Sequence, residues 1–275
     1  MVVRAEKNAL MKYALASLAF WCFLTGLSFT AEAGSPDSRA NIRNEQPMAE
    51  LTALFERQLF QPRDKKLQDL TYFWFQPIPP YPEGLKFPLV LVLHGGSGNS
   101  YASRFLVKPE MQRAYPAFIV VPVLPERKLW AGSHPAAAKG EGIHDAVALI
   151  RDIVTRYPVD TRRIYVIGCS DGGTGTFGAV TYYPDLFAGA VAISGAWNPE
   201  NAPKMTKVPI AAMHGTADTI ISPNSARDTM GLIQQYGGQA FYNELPGQGH
   251  NCAAEHYYAP SIWSWLFSQK KTSPQ

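Results

Sequence analysis

What this sequence has little of already narrows its function. Charged side chains make up only 17% of the 275 residues, against 46% apolar, so the chain is not disordered and has enough to bury a sizeable core. No run of lysine and arginine occurs and the net charge is only +3, which argues against nucleic acid as a partner. There is no internal repeat and no long low-complexity tract, so solenoids and fibrous classes drop out. Six histidines and three cysteines show no metal-ligand spacing, and no metal or other cofactor is expected.

One cysteine, Cys22, lies in an N-terminal segment that must be set aside first. Arg4, Lys7 and Lys12 precede the apolar stretch "YALASLAFWCFLTGLSF", which is followed by "AEAGS". A basic region, an apolar region and a small-residue site at Ala31 and Ala33 read as a signal peptide over 1–33, cleaved after Ala33. An uncleaved anchor is the alternative, since about 20 apolar residues span a bilayer. The bulky Phe20 and Trp21 before Cys22 argue against a lipidation site. The reading implies export to the periplasm or the medium, with no stable membrane partner after cleavage, and an oxidising compartment for Cys169 and Cys252.

Residues 34–68 begin polar and proline-punctuated and read as a leader; the catalytic domain is expected over 69–270. There the chain alternates between two kinds of segment. "LTYFWFQ", "FPLVLVLHGG", "AFIVVPVLP", "RRIYVIG", "FAGAVAISG", "KVPIAAMHG" and "QAFYNELPG" read as strands, several of them continuous apolar runs. Between and after them, 142–160, 174–184, 224–237 and 260–269 have helical character. This alternation predicts an α/β fold: a mostly parallel central sheet with helices on both faces. Such sheets bind ligands beyond the carboxyl ends of their strands.

Three polar residues stand at such ends. Ser170 follows "RIYVIGC" inside the pattern glycine-x-serine-x-glycine, with Gly168 and Gly172 allowing a sharp strand-to-helix turn. Asp218 follows "VPIAAM" in "HGTAD", and His250 follows "AFYNELP" in "GQGHN". Asp228 and Glu244 are weaker choices for the acid, one inside a helix and the other within a strand, and His256 is the rival base. His94 and His214, each before a glycine, read as loop braces.

Serine, acid and histidine in this order resemble the α/β-hydrolase superfamily, over roughly 70–268. More narrowly, "HGGSG", "GCSDGG", "SGAW" and "HGTAD" resemble exported esterases grouped with polyhydroxybutyrate depolymerases and feruloyl or acetylxylan esterases. The resemblance implies a cofactor-free serine esterase acting on a small or polymer-borne ester. Ser170 would be the nucleophile, His250 the base and Asp218 the residue that orients it. The oxyanion would meet the backbone N–H groups of Asp171 and Gly96. About ten residues separate "SGAW" from "KVPI", too few for a large cap domain. Trp197, just past a strand end, and Trp130, in a long loop, are expected to line the cleft. A prolyl-peptidase-like peptidase, an acyltransferase and a non-catalytic binding protein on the same scaffold are the alternatives.

If Ser170 and His250 meet, Cys169 and Cys252 are held near each other, within reach of the about 4.4–6.8 Å that a disulfide spans. Tannase and feruloyl esterase relatives join two such cysteines. Here Asn251 intervenes between the histidine and the second cysteine, a departure that puts side-chain direction in question.

Overall fold

The computed structural model describes residues 53–77, 81–124, 129–131 and 142–272; the expected signal peptide lies outside them. The strands are β1 (Glu56–Phe60), β2 (Leu70–Phe75), β3 (Phe87–Leu93), β4 (Phe118–Val123), β5 (Val159–Cys169), β6 (Gly189–Ile193), β7 (Ile210–Gly215) and β8 (Ala240–Leu245). The helices are α1 (Tyr101–Leu106), α2 (Pro109–Ala114), α3 (Gly142–Arg156), α4 (Asp171–Tyr182), the single turn α5 (Ala202–Met205), α6 (Pro223–Gln235) and α7 (Pro260–Ser268).

All eight strands join one sheet in the order β1-β2-β4-β3-β5-β6-β7-β8. From β4 to β8 neighbouring strands are parallel, while β2 runs antiparallel to β4 and β1 antiparallel to β2. The continuous apolar runs follow from this arrangement. On β3, Leu89, Leu91 and Leu93 enter one core with α3, α4 and α6, whereas Val90 and Val92 enter a second core with α1 and α7. On β5, Ile164 and Val166 face the first core and Tyr165 and Ile167 the second. A strand covered on both faces has no side left for polar residues.

Helix α3 shows the complementary pattern. Ile143, Ala146, Val147, Ile150 and Ile153 are buried at helical spacing, and the chain turns to strand at Pro158.

The sheet reaches further toward the N-terminus than the expected domain start at 69. β1 lies within the stretch read as a leader and pairs Glu56 to Phe60 with Trp74 to Leu70. It is an edge strand with no fully buried residue, so its sequence carries no apolar alternation to announce it.

Candidate active site

β5 ends at Cys169, and the next residue must both leave the sheet and start α4. Ser170 does so at φ 60° and ψ −122°, a left-handed conformation that costs about 1–3 kcal/mol for a residue with a side chain. The turn is tight enough to exclude side chains on either flank. A Cβ on Gly168 would stand 2.2 Å from the Gly172 carbonyl oxygen, and one on Gly172 would stand 2.1 Å from the Leu93 carbonyl oxygen. The Ser170 N–H donates to the Ile193 carbonyl (2.9 Å), and Thr174 N–H donates to the Ser170 carbonyl (3.0 Å). Helix α4 starts at Asp171 rather than at the expected 174, so the Asp171 N–H belongs to its first turn, where backbone donors lack helical partners.

Asp218, just beyond β7, and His250, just beyond β8, meet this serine. His250 Nδ1 lies 2.7 Å from Asp218 Oδ2, and Nε2 lies 2.9 Å from Ser170 Oγ. A carboxylate oxygen only accepts, so Nδ1 carries the hydrogen and the bare Nε2 faces the serine hydroxyl.

Asp218 is buried and well supplied with donors. Its Oδ1 accepts the N–H groups of Ile220 and Ile221, each at 2.9 Å, and its Oδ2 also accepts His214 Nε2–H at 3.1 Å. Burial by itself would raise its pKa; the hydrogen bonds from His214, His250 and the Ile221 N–H outweigh burial and hold the carboxyl well below the usual range. His214 Nε2 also faces the Ile221 carbonyl at 2.9 Å, so it meets two acceptors and must be the protonated nitrogen. The histidine read as a loop brace therefore braces the acid itself. Its position, in "HGTAD" four residues before Asp218, was the only signal available.

The rival residues stand elsewhere. Glu244 pairs with Arg227 at 2.6 Å, Asp228 is exposed on α6, and His256 is exposed in the turn before α7.

Cys169 and Cys252 form a disulfide, Cα to Cα 5.9 Å, tying the end of β5 to the loop that carries His250. The intervening Asn251 is absorbed by a turn. Its side chain accepts the Ala253 N–H, and its carbonyl accepts the Ala254 N–H, which brings Cys252 back toward β5.

The loop after β3 lies against the serine. A Cβ on Gly95 would come within 3.5 Å of Ser170 Cβ. Gly95 N–H donates to the Asn99 carbonyl (3.1 Å), and Gly96 follows it in the loop. His94 is buried and is neutral by geometry. Its Nδ1–H donates to the Gly95 carbonyl (2.7 Å), and its Nε2 accepts the Leu124 N–H (3.1 Å). Burial lowers its pKa, partly offset by the bond to Gly95.

The two tryptophans expected in the cleft are core residues. Trp130 is 0% exposed and Trp197 3%. Trp130 packs onto α4 where Gly175 leaves room, and Trp197 lies along the same helix beside Gly178 and Tyr182. Position after a strand end places the backbone near the site; it does not set which way a side chain of that size turns.

Burial pushes the Asp171 carboxyl up to about 6, against a smaller pull from the Trp130 N–H. A carboxyl raised in the folded state contributes its full stability below the unfolded pKa, about 3.9, and loses it as pH rises through the folded value. Asp171→Asn escapes that loss. Thermal unfolding should show it more stable than the parent at pH 8, by up to about 3 kcal/mol, with the gap closing below about pH 4. A gap that is the same at every pH would contradict this assignment.

Among the described residues, no group of three or more His, Cys, Asp and Glu side chains is placed to hold a metal ion. Residues 132–257 match a protein family described as phospholipase/carboxylesterase. A probable carboxylesterase of rice (Oryza sativa subsp. japonica) is 26% identical over 68% of this chain and 79% of its own length. Feruloyl esterase B of Neurospora crassa is 29% identical over 39% of this chain and 38% of its own length. In shape, the chain resembles a thermostable esterase with a TM-score of 0.72 at 23% identity, over 80% of this chain and 64% of that one.

Proposed function

We propose that this chain, a carboxylic ester hydrolase of the α/β-hydrolase superfamily, is an exported serine esterase that works through an acyl-enzyme on Ser170. One observation carries the reading: the unbroken line from Asp218 through His250 to Ser170, at 2.7 and 2.9 Å, with the serine raised on a strained turn. A serine hydroxyl is a poor nucleophile until a base takes its proton. His250 Nε2 is the base in reach, and the imidazolium it becomes is stabilised by an Asp218 that stays ionised.

In the first half-reaction Ser170 Oγ attacks the ester carbonyl carbon while its proton passes to His250. The oxyanion of the tetrahedral species is met by the N–H groups of Asp171 and Gly96. His250 then returns the proton to the departing alkoxide as the C–O bond breaks. Water repeats the sequence on the acyl-enzyme and releases the acid.

The substrate proposed is an accessible ester of the feruloyl, acetyl or polyester type. The connection from β6 to β7, residues 194–209, holds only a three-residue helical turn and α5, with no cap inserted. With Trp130 and Trp197 in the core, an aromatic cleft no longer supports a phenolic acyl group. Support for feruloyl esters comes instead from the likeness to feruloyl esterase B. Peptidases share this fold, so the discriminating assay sets nitrophenyl, feruloyl, acetylxylan and polyester substrates beside aminoacyl nitroanilides. The expected result is turnover of esters well above that of the anilides. Faster cleavage of the anilides would favour a peptidase, and faster transfer to an added alcohol than to water an acyltransferase.

A further inference from the structure

Trp130 was expected to touch substrate, and its burial removes that role; its hydrogen bonds point to another. The main-chain N–H of Trp130 donates to Asp171 Oδ2 at 3.3 Å, and its indole Nε1–H donates to the His94 carbonyl at 2.8 Å. One residue thus reaches both walls of the oxyanion site: the first residue of α4 and the residue that opens the glycine loop. We propose that Trp130 is a positioning residue, a strut that sets the distance between the Asp171 and Gly96 donors by holding the His94–Gly96 loop against the Ser170 turn. This rests on the serine-esterase reading above.

The surroundings of the strut are arranged to keep it rigid. The Trp130 and His94 rings meet edge to face, 5.0 Å between centroids. Opposite, a Cβ on Gly175 would stand 2.4 Å from Trp130 Cβ, so α4 admits the indole only because that position is glycine. His94 passes the constraint onward through its ring to the Gly95 carbonyl and the Leu124 N–H at the end of β4. Gly98 N–H closes the loop on the Gly95 carbonyl at 2.9 Å. Hydrogen bonds in a dry interior are directional and expensive to leave unmade, so this chain fixes a glycine loop that would otherwise be soft.

Fixing it matters because oxyanion donors work only at about 2.7–3.1 Å from the developing charge, and losing one costs about 10²–10³ in rate. A displaced donor forfeits part of that. Trp130→Phe keeps a ring in the cavity and removes the indole N–H. It should lower kcat by roughly tenfold while KM stays within about twofold, because the loss falls on the transition state. Asp171→Ala, cutting the other end, should give the same pattern. Asp171→Asn, which keeps an oxygen for the Trp130 N–H, should recover most of that loss.

An alkyl boronic acid, which forms a tetrahedral adduct on the serine, should bind more weakly to Trp130→Phe by the factor lost from kcat/KM. The double variant should be little worse than either single one, since both cut the same strut. Should Trp130→Phe not fold, the Asp171→Ala and Asp171→Asn pair supplies the same readouts. Full kcat in Trp130→Phe, or a change in KM alone, overturns the strut. Ser170→Ala measured alongside separates the two claims: if it turns over ester like the parent, the serine mechanism falls and the strut with it. An inactive Ser170→Ala beside an unimpaired Trp130→Phe sinks the strut alone.

Discussion

Ser170→Ala should lower kcat on a soluble nitrophenyl ester by on the order of 10⁶, and His250→Ala by a similar factor. Asp218→Asn should cost about 10⁴. The ordering follows from the hydrogen bonds. On the proposed mechanism, removing the Ser170 hydroxyl removes the atom that would carry the acyl group, and among the described residues His250 is the side chain placed to take its proton, at 2.9 Å. The acid acts one step further away. Asn at 218 still accepts from one side, but its amide also presents N–H groups toward His250 Nδ1, now 2.7 Å from a carboxylate oxygen, and thereby favours the wrong imidazole tautomer. The triple variant should be little worse than Ser170→Ala, because the three residues act as a unit. Circular dichroism and thermal unfolding close to the parent's for Ser170→Ala would assign its loss to chemistry; alanine keeps the Cβ, so the strained φ at 170 is the same in both proteins.

The second large effect is on stability. The disulfide between Cys169 and Cys252 closes a stretch of 83 residues. Chain-entropy arguments give a cross-link of that span about 4–5 kcal/mol. Replacing both cysteines by serine should therefore lower Tm by roughly 10–15 °C for a domain of this size. The site below that temperature should lose less, because His250 is still held by Asp218 and Asp218 by His214, Ile220 and Ile221. Calorimetry of parent and double variant, with alkylation and mass measurement under non-reducing conditions, gives the check. Alkylation of both cysteines in the untreated protein, or an unchanged Tm, would contradict the bridge's role.

What could be read in advance divides along physical lines. β3, β6 and the second half of β5, from Ile164 on, announce themselves because burial on both faces leaves only apolar residues to use. Ser170 and Asp218 follow the buried ends of β5 and β7, and His250 follows the edge strand β8. Their meeting was legible because each stands past the carboxyl end of a parallel strand, and a parallel sheet collects those positions at one end. β1 was not, since an exposed edge strand shows no pattern. Neither were α1 and α2, six residues each, whose N-cap residues make no side-chain capping bond. Trp130 and Trp197 were misplaced for a different reason. Whether an indole faces the cleft or the core depends on what the facing helix leaves open: Trp130 finds its room at Gly175, on a helix distant in sequence, and Trp197 packs beside Gly178 and Tyr182 of the same helix. For His214 the partner stands only four residues on, but the contact depends on the turn that folds Asp218 back onto it.

If Ser170 carries the acyl group, mass spectrometry of the trapped intermediate will find the group there. Parent protein is mixed with nitrophenyl acetate, quenched in acid during the burst and digested. One added acetyl group is expected on the peptide containing Ser170, stoichiometric with the burst, and none in Ser170→Ala. An acetyl group on another residue, or a burst that persists in Ser170→Ala, would contradict it.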